Sequence, residues 1–465
     1  MVGSGNPLEK GAPLMEEEKK VSLAGTVLFT ICSIIALDSF VAPSIVGVSS
    51  ITIWIISAIL FFLPYGLLNA ELGSTYPDDG GIVSWVERAF GEWPGVLVGW
   101  MYWINVAFWM PAVFTAFSGW LNLALFPNMS TLMMGILAVV MCWVVVYIGV
   151  TGIELSVLFS NILGFVKAAI LLLLGLMGVM YGIKFGFAND FSAANWIPTM
   201  DDTIVYVAVI VYDLLGFELI GSIGSKIDNP GKTVPLMTVI AGAALTFLFA
   251  FGTFGVLSAI PAAEIDEVDG FVYALQELCK VWGPLEQPVF YIIIGGAIIS
   301  LVANMITWSL GANEAFMAAG IDQRSKFLAH RSEKHGTADN LYYIMGVIST
   351  LLIILNYSLS GDANDIFWAI FSFSSIVFMA NYLFMFPAAV KLKYSDDTPR
   401  QYEVPGGKAG MWVCAILSFA FVLLAIYFLI DWDFSGYTFW MELIGTLLTI
   451  ASGWWLYKVG KKKEA

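Results

Sequence analysis

Twelve apolar stretches, each long enough to cross a bilayer as a helix, constrain this chain more than any other feature. A hydrocarbon core of ~30 Å needs about 20 apolar residues at helical rise. The stretches cover roughly 24–48, 51–72, 94–122, 131–150, 154–183, 203–224, 234–260, 287–316, 341–358, 364–392, 410–431 and 436–458. Turn and charge clusters separate them, such as PDDGG (77–81), DNPGK (228–232) and EIDEVDG (264–270). The first stretch is too long for a signal-peptide core and follows EEEKK, so it reads as a helix. Composition agrees: 59% of residues are hydrophobic and 12% charged, about half the charge of a soluble domain. A soluble globule and a disordered chain are both excluded. The expectation is an all-α membrane protein with 12 transmembrane helices.

Orientation follows from lysine and arginine, which gather on cytoplasmic loops. With the N-terminus inside, 18 of the 21 basic residues fall on the cytoplasmic side. Lys184 and Lys280 fall outside, and Lys167 lies within a span. Both termini are therefore expected in the cytoplasm of a cell-membrane protein, with residues 1–20 as a tail. The outer loops are acidic (Glu264, Asp266, Glu267, Asp269, Glu277), which fits solvated loops.

The net charge of −15 argues against a nucleic-acid partner. Cys32, Cys142, Cys279 and Cys414 are scattered, and the two histidines, His330 and His335, share one basic loop. No metal site, disulfide framework or cofactor is indicated. No nucleophile–base set or phosphate loop marks an enzyme. No partner subunit is inferred, since no soluble domain is appended.

Ionisable groups inside spans are costly and mark function. Four stand out: Asp38 in the first span, Lys167 in the fifth, and Asp213 and Glu218 in the sixth. Pro43 follows Asp38 and removes a backbone donor, while Gly216 follows Asp213. Two interrupted spans with mid-membrane acids have the pattern of a transporter binding site. The alternative is structural: each aspartate caps a broken helix or pairs with Lys167. A lysine that gains and loses its proton is a natural coupling element. Tyr102, Asn105 and Trp109 share one span, and Asn304 and Trp308, four apart, share a helical face. Phe40, Trp109, Tyr212 and Trp308 would wall a cavity suited to a cation through ring-face attraction, with Ser39, Tyr102, Asn105 and Asn304 as further candidate substrate contacts, although packing alone accounts for any one of these tryptophans.

The segments AELGSTYPDDGGIVSWVERAFG (70–91), GFELIGSIGSKIDNPGKTVP (216–235), WSLGANEAFMAAG (308–320) and YEVPGGKAG (402–410) resemble the amino acid–polyamine–organocation transporter superfamily, over about residues 20–460. The nearest resemblance is to the bacterial glutamate/GABA antiporter branch. It implies two inverted five-helix repeats within residues 21–393, with spans 1 and 6 unwound at the substrate. Residues 394–465 would then supply two peripheral helices and a cytoplasmic tail. Alternating access without chemical catalysis is implied, as is a span-5 lysine standing where sodium-coupled relatives hold an ion. Lys167 matches that lysine, so proton-coupled or exchanging, sodium-independent transport is expected. The first span departs from the superfamily's glycine-rich G-S-G motif: Ala36, Leu37, Asp38, Ser39 and Phe40 stand there. An acid there repels a substrate carboxylate; two unit charges at 4 Å and an effective dielectric of ~20 cost about 4 kcal/mol. The reading is thus a carrier of an organic amine or polyamine held by Asp38 and Asp213, with Glu218, Pro43 and Gly216 structural or gating. The alternative is an amino-acid antiporter or proton symporter of the glutamate/GABA type.

Overall fold

The computed structural model describes residues 20–199, 203–266, 269–358 and 363–461. Most of the expected N-terminal tail, Glu267 of the outer loop, and Lys462 and Lys463 lie outside these residues. The described chain is helical throughout and has no strand; a lone parallel bridge joins Val21 to Ile227. Lipid offers no hydrogen-bonding partner, so each crossing must satisfy its own backbone. The helices are α1 (Leu23–Ile34), α2 (Ser49–Ser57), α3 (Leu63–Thr75), α4 (Ile82–Phe90), α5 (Glu92–Ala124), α6 (Thr131–Thr151), α7 (Ile153–Phe185) and α8 (Thr203–Asp213). After them come α9 (Pro230–Ala259), α10 (Gly270–Cys279), α11 (Glu286–Ala318), α12 (Asp339–Ser358), α13 (Ala363–Ser395), α14 (Gly407–Leu429) and α15 (Tyr437–Lys461). A π-helical turn, Ala58–Phe62, joins α2 to α3 in one crossing.

Ten helical segments among the described residues are long and apolar enough to cross a membrane. Two of the twelve spans expected from the sequence fall outside that set. The last is α15. The first is broken: α1 stops after 12 residues, and the chain resumes as a 3-10 helix at Ala42–Val46. Pro43 stands in the first turn of that second piece, where its missing N–H leaves no bond unmade. The sixth span breaks in the same way. α8 ends at Asp213, Gly216 takes φ +130°, and a 3-10 helix follows at Phe217–Lys226. Such a φ is accessible to glycine and strained for a side chain. The sequence reading did not anticipate α4 and α10, two short helices between crossings.

Both broken helices sit among close-packed neighbours. A Cβ on Gly164 of α7 would lie 2.3 Å from the Leu28 carbonyl, so α1 and α7 pack backbone to side-chain-free backbone. At the face where α1 begins, Val21 N–H donates to the Lys226 carbonyl at 2.8 Å and Asp228 N–H to the Val21 carbonyl at 3.0 Å. The start of the first broken span is thereby tied to the end of the second. On the same face Glu71, 2% exposed, accepts from Lys393 at 2.8 Å and from the Val404 N–H at 2.7 Å. That bonding fixes the end of α3 to the end of α13 and the loop before α14.

Candidate substrate site between two broken helices

A helix that stops inside a membrane leaves its last carbonyls without N–H partners. Side chains from outside α1 take three of them. The Lys167 ammonium, fully buried on α7, donates to the Cys32 carbonyl at 2.8 Å and the Ile35 carbonyl at 2.7 Å. It also donates to Asn304 Oδ1 on α11. The Trp308 indole N–H, one turn along α11, donates to the Ser33 carbonyl at 2.9 Å. Each of the three ammonium protons thus has a neutral acceptor. Among the described residues no direct ion pair joins Lys167 to a span-1 or span-6 acid, the pairing left open by the sequence, although Asp38 lies within electrostatic reach of it.

A hydrogen bond joins the two breaks. Ser39 Oγ, in the turn after α1, donates to Asp213 Oδ1 at 2.6 Å. Asp213 and Asp38 lie within electrostatic reach of each other, and Tyr212 within reach of both. Asp213 is 3% exposed and its Oδ2 accepts no hydrogen bond; Asp38 Oδ1 is likewise buried and unpartnered. Buried polar atoms are ordinarily satisfied. Other buried acids here follow that rule: Glu71 as above, Glu314 through Arg331, and Glu442 through Ser372 and the Asp431 N–H.

Glu218, at the start of the second half of the sixth span, is the most heavily bonded of them. The hydroxyls of Tyr102 and Tyr382 each donate to Oε1 at 2.7 Å, and that of Tyr65 donates to Oε2. The Tyr65 hydroxyl also accepts the Gly216 N–H at 3.2 Å, so it braces the break itself. Four elements therefore converge on one carboxylate: α3, α5, α13 and the broken span.

An aromatic layer lies beside this cluster. Trp308 stacks on Tyr102 at 6.0 Å and meets Trp109 edge-on at 5.8 Å and Phe378 at 5.3 Å. Phe378 also meets Tyr212 at 5.7 Å. Tyr102, Trp109, Tyr212 and Trp308 are thus together. Phe40 is elsewhere: fully buried, it packs on Phe249 and against Gly252. Asn105 is buried with its Oδ1 unpartnered. Tyr65, Tyr382 and Phe378 were not anticipated. The signal that points to the tyrosines is Glu218 itself, an acid in a span that must have donors, but 18 tyrosines gave no basis for choosing among them.

The face where α1 begins is closed over this site. Asp79 accepts from the Ser225 N–H at 2.9 Å and from Ser225 Oγ at 2.6 Å. Gly81, at φ +49°, lies so near Gly221 that a Cβ there would be 3.2 Å from the Gly221 carbonyl carbon. Beyond this closure lies a cavity of about 610 Å³ lined by Asp78, Asp79, Glu87, Glu314, Asp322 and Arg331, among others. Asp38 and Ser39, by contrast, are partly exposed. Among the described residues no cluster of His, Cys, Asp and Glu could hold a metal ion.

A sequence model of amino acid permeases matches residues 21–451. The chain is 28% identical over 446 residues to a probable agmatine/putrescine antiporter, AguD, of Lactococcus lactis subsp. lactis (strain IL1403), covering 94% of each. It is 23% identical over 435 residues to the glutamate/gamma-aminobutyrate antiporter of the same strain, covering 88% of this chain and 83% of that one. Among solved structures, the Eremococcus coleocola manganese transporter, in complex with an aromatic bis-isothiourea substituted compound, superposes with a TM-score of 0.61. Each chain is 95% covered at 11% identity, a likeness of fold.

Proposed function

This chain belongs to the amino acid permease family and is a multi-pass membrane transporter; from that premise we propose that its cargo is a small organic cation, an amine or polyamine, moved by alternating access. One observation carries the reading: Asp38 Oδ1 and Asp213 Oδ2 are buried and unpartnered at the junction of two broken helices. An ammonium offers three donors and no acceptor, so it satisfies both oxygens, and its charge offsets the repulsion between the two acids. The aromatic layer of Trp308, Trp109 and Tyr212 adds ring faces for the cation or its carbon chain. The likeness to an agmatine/putrescine antiporter supports the same cargo class.

The glutamate/GABA-type alternative rests on the relative of that name. It places a substrate carboxylate beside two aspartates, and each such pair costs about 4 kcal/mol at 4 Å and an effective dielectric of ~20. A proton on one aspartate removes much of that cost, so this reading predicts amino-acid binding that needs a proton taken up at the site.

In the proposed cycle the protein sits in the cell membrane with both termini in the cytoplasm. The face closed by Asp79 and Ser225 is then cytoplasmic, and Asp38 and Ser39 stand on the side open to the exterior. Cation entry draws the two broken helices together, and opening of the Asp79–Ser225 face releases the cargo inward. Lys167 holds the end of α1 where a metal cation would otherwise stand, which makes transport independent of sodium. Loss of its proton frees one of its three acceptors and regain restores it, which couples the cycle to protons.

The test is exchange in liposomes containing the purified protein. Labelled putrescine and agmatine should enter vesicles preloaded with unlabelled amine, with no requirement for sodium. Uptake of glutamate or GABA without any amine flux would overturn the cargo assignment.

A further inference from the structure

A second site lies on the lipid-facing side of the helices that carry the first. Between α5, α13 and α15 runs an apolar slot of about 690 Å³, lined by Ile104, Phe108, Phe373, Ile444, Leu448 and Ser452 among others. Trp440 stands at one end. At the other, the Trp100 indole N–H donates to Ser452 Oγ at 2.9 Å. Gly453 lies so close that a Cβ there would be 3.1 Å from the Trp100 ring, so the slot is blind at that end. Its hydroxyls are spent within the protein: Ser452 Oγ donates to the Leu448 carbonyl at 2.7 Å, and Thr449 Oγ1 to the Gly445 carbonyl at 2.8 Å. The side wall on α15 faces outward, with Ile444 51% and Leu448 63% exposed.

We propose that this slot is a binding site for one acyl chain of a membrane phospholipid, entering from the leaflet at the Trp440 end. Length and chemistry both favour that occupant. From Trp440 to Ser452 α15 rises about 18 Å, close to the ~15 Å of hydrocarbon in one leaflet. The lining presents no free polar group for a headgroup or a charged ligand, and a headgroup belongs at the Trp440 end, where Trp432 and Phe434 are also exposed.

The position gives the chain a mechanical role. Phe108 and Phe373 meet edge-on at 5.6 Å in the slot's floor. On the same helix as Phe373, Phe371 contacts Tyr212 at 6.1 Å and Phe378 contacts Trp308. An acyl chain lying behind α13 therefore braces the helix that supplies one wall of the substrate site. This inference does not depend on which cargo is carried.

The experiment uses the full-length protein in phosphatidylglycerol vesicles that include a trace of the same lipid with a diazirine near the methyl end of one chain. Photolysis followed by peptide mass spectrometry should label the segments holding Phe108, Phe373 and Leu448 at least ~10-fold more than the lipid-facing α6 residues Leu132 and Ile136. Leu448→Trp, which fills the slot without adding polarity, should reduce that label ~10-fold and leave the α6 label unchanged. Ile444→Trp serves the same purpose should Leu448→Trp fail to fold. Equal labelling of slot and α6 segments would reduce the slot to ordinary lipid contact. A protein–protein crosslink through α15 in place of lipid label would assign it to a second copy. Either result overturns the proposal.

Discussion

Ser39 donates to Asp213 across two separate broken spans, Oγ to Oδ1, at 2.6 Å. The bond fixes one carboxylate oxygen and leaves Oδ2 without a partner. Ser39 is thus expected to position Asp213, with the free oxygen presented to the cargo. Ser39→Ala removes a hydrogen bond to a charged group, worth about 1.5–3 kcal/mol, and frees the carboxylate to rotate. Amine affinity should fall ~10-fold or more, and Ser39→Thr, which keeps the hydroxyl, should recover most of it. Equilibrium binding of labelled putrescine to purified protein checks both. An unchanged affinity in Ser39→Ala would show that Asp213 needs no such support.

Lys167 supplies a second test, because stability and coupling separate there. Lys167→Ala leaves the Cys32 and Ile35 carbonyls and Asn304 Oδ1 without their shared donor. Buried acceptors left unpaired cost about 1–3 kcal/mol each, so the apparent melting temperature in detergent should drop by several degrees. If the proton on Lys167 couples transport, the residual exchange of this variant should also lose its pH dependence. A variant with lowered stability and an intact pH profile would make Lys167 a structural cap alone.

The two breaks are legible in the sequence because their causes are local. Gly216 beside Asp213, and Pro43 after Asp38, each contradict an uninterrupted helix in an apolar run. Lys167 is legible as a buried charge, but its partners are not. The sequence offers acids as the obvious choice, whereas the chain supplies carbonyls freed by the break in α1, and these exist only once the helix has stopped. Phe40 shows the opposite failure. It lies next to Asp38 and Ser39 in sequence, yet adjacent residues in a turn point in different directions, and Phe40 turns to Phe249. The tyrosine cluster on Glu218 joins residues more than a hundred positions apart, so nothing short of the fold selects Tyr65 and Tyr382.

Glu218 itself predicts a graded series. Its carboxylate takes three tyrosine hydroxyls from three helices. Glu218→Leu leaves all three donors buried without an acceptor, at about 1–3 kcal/mol each, and should give a chain that unfolds or aggregates on extraction. Glu218→Gln keeps one acceptor oxygen but turns an N–H₂ toward a hydroxyl that must rotate to accept. It should fold, with a melting temperature between the two and slower exchange. Equal stability of the Leu and Gln variants, measured in the same detergent, would contradict the assignment of Glu218 as the point where α3, α5, α13 and the broken span are held.

The closure at Gly81 and Gly221 yields the last prediction, which concerns the equilibrium between closed and open forms of that face. A Cβ on Gly221 would lie 2.9 Å from the Gly81 Cα and 3.5 Å from the Trp85 ring. Gly81 cannot easily shift, because it ends the PDDGG turn at φ +49° and caps the start of α4. Overpacking of this kind costs about 1–3 kcal/mol, and it is paid only in the closed form. Gly221→Ala should therefore move the population toward the form open at the Asp79–Ser225 face, by ~10-fold for each 1.4 kcal/mol. Ser222→Cys reports this directly, since Ser222 is 4% exposed and the four native cysteines are buried. Added on the side of the Asp79–Ser225 face, a membrane-impermeant maleimide should label Ser222→Cys about ten times faster when Gly221→Ala is also present. Labelling at the same rate with and without Gly221→Ala would mean that the glycine contact does not govern the closure.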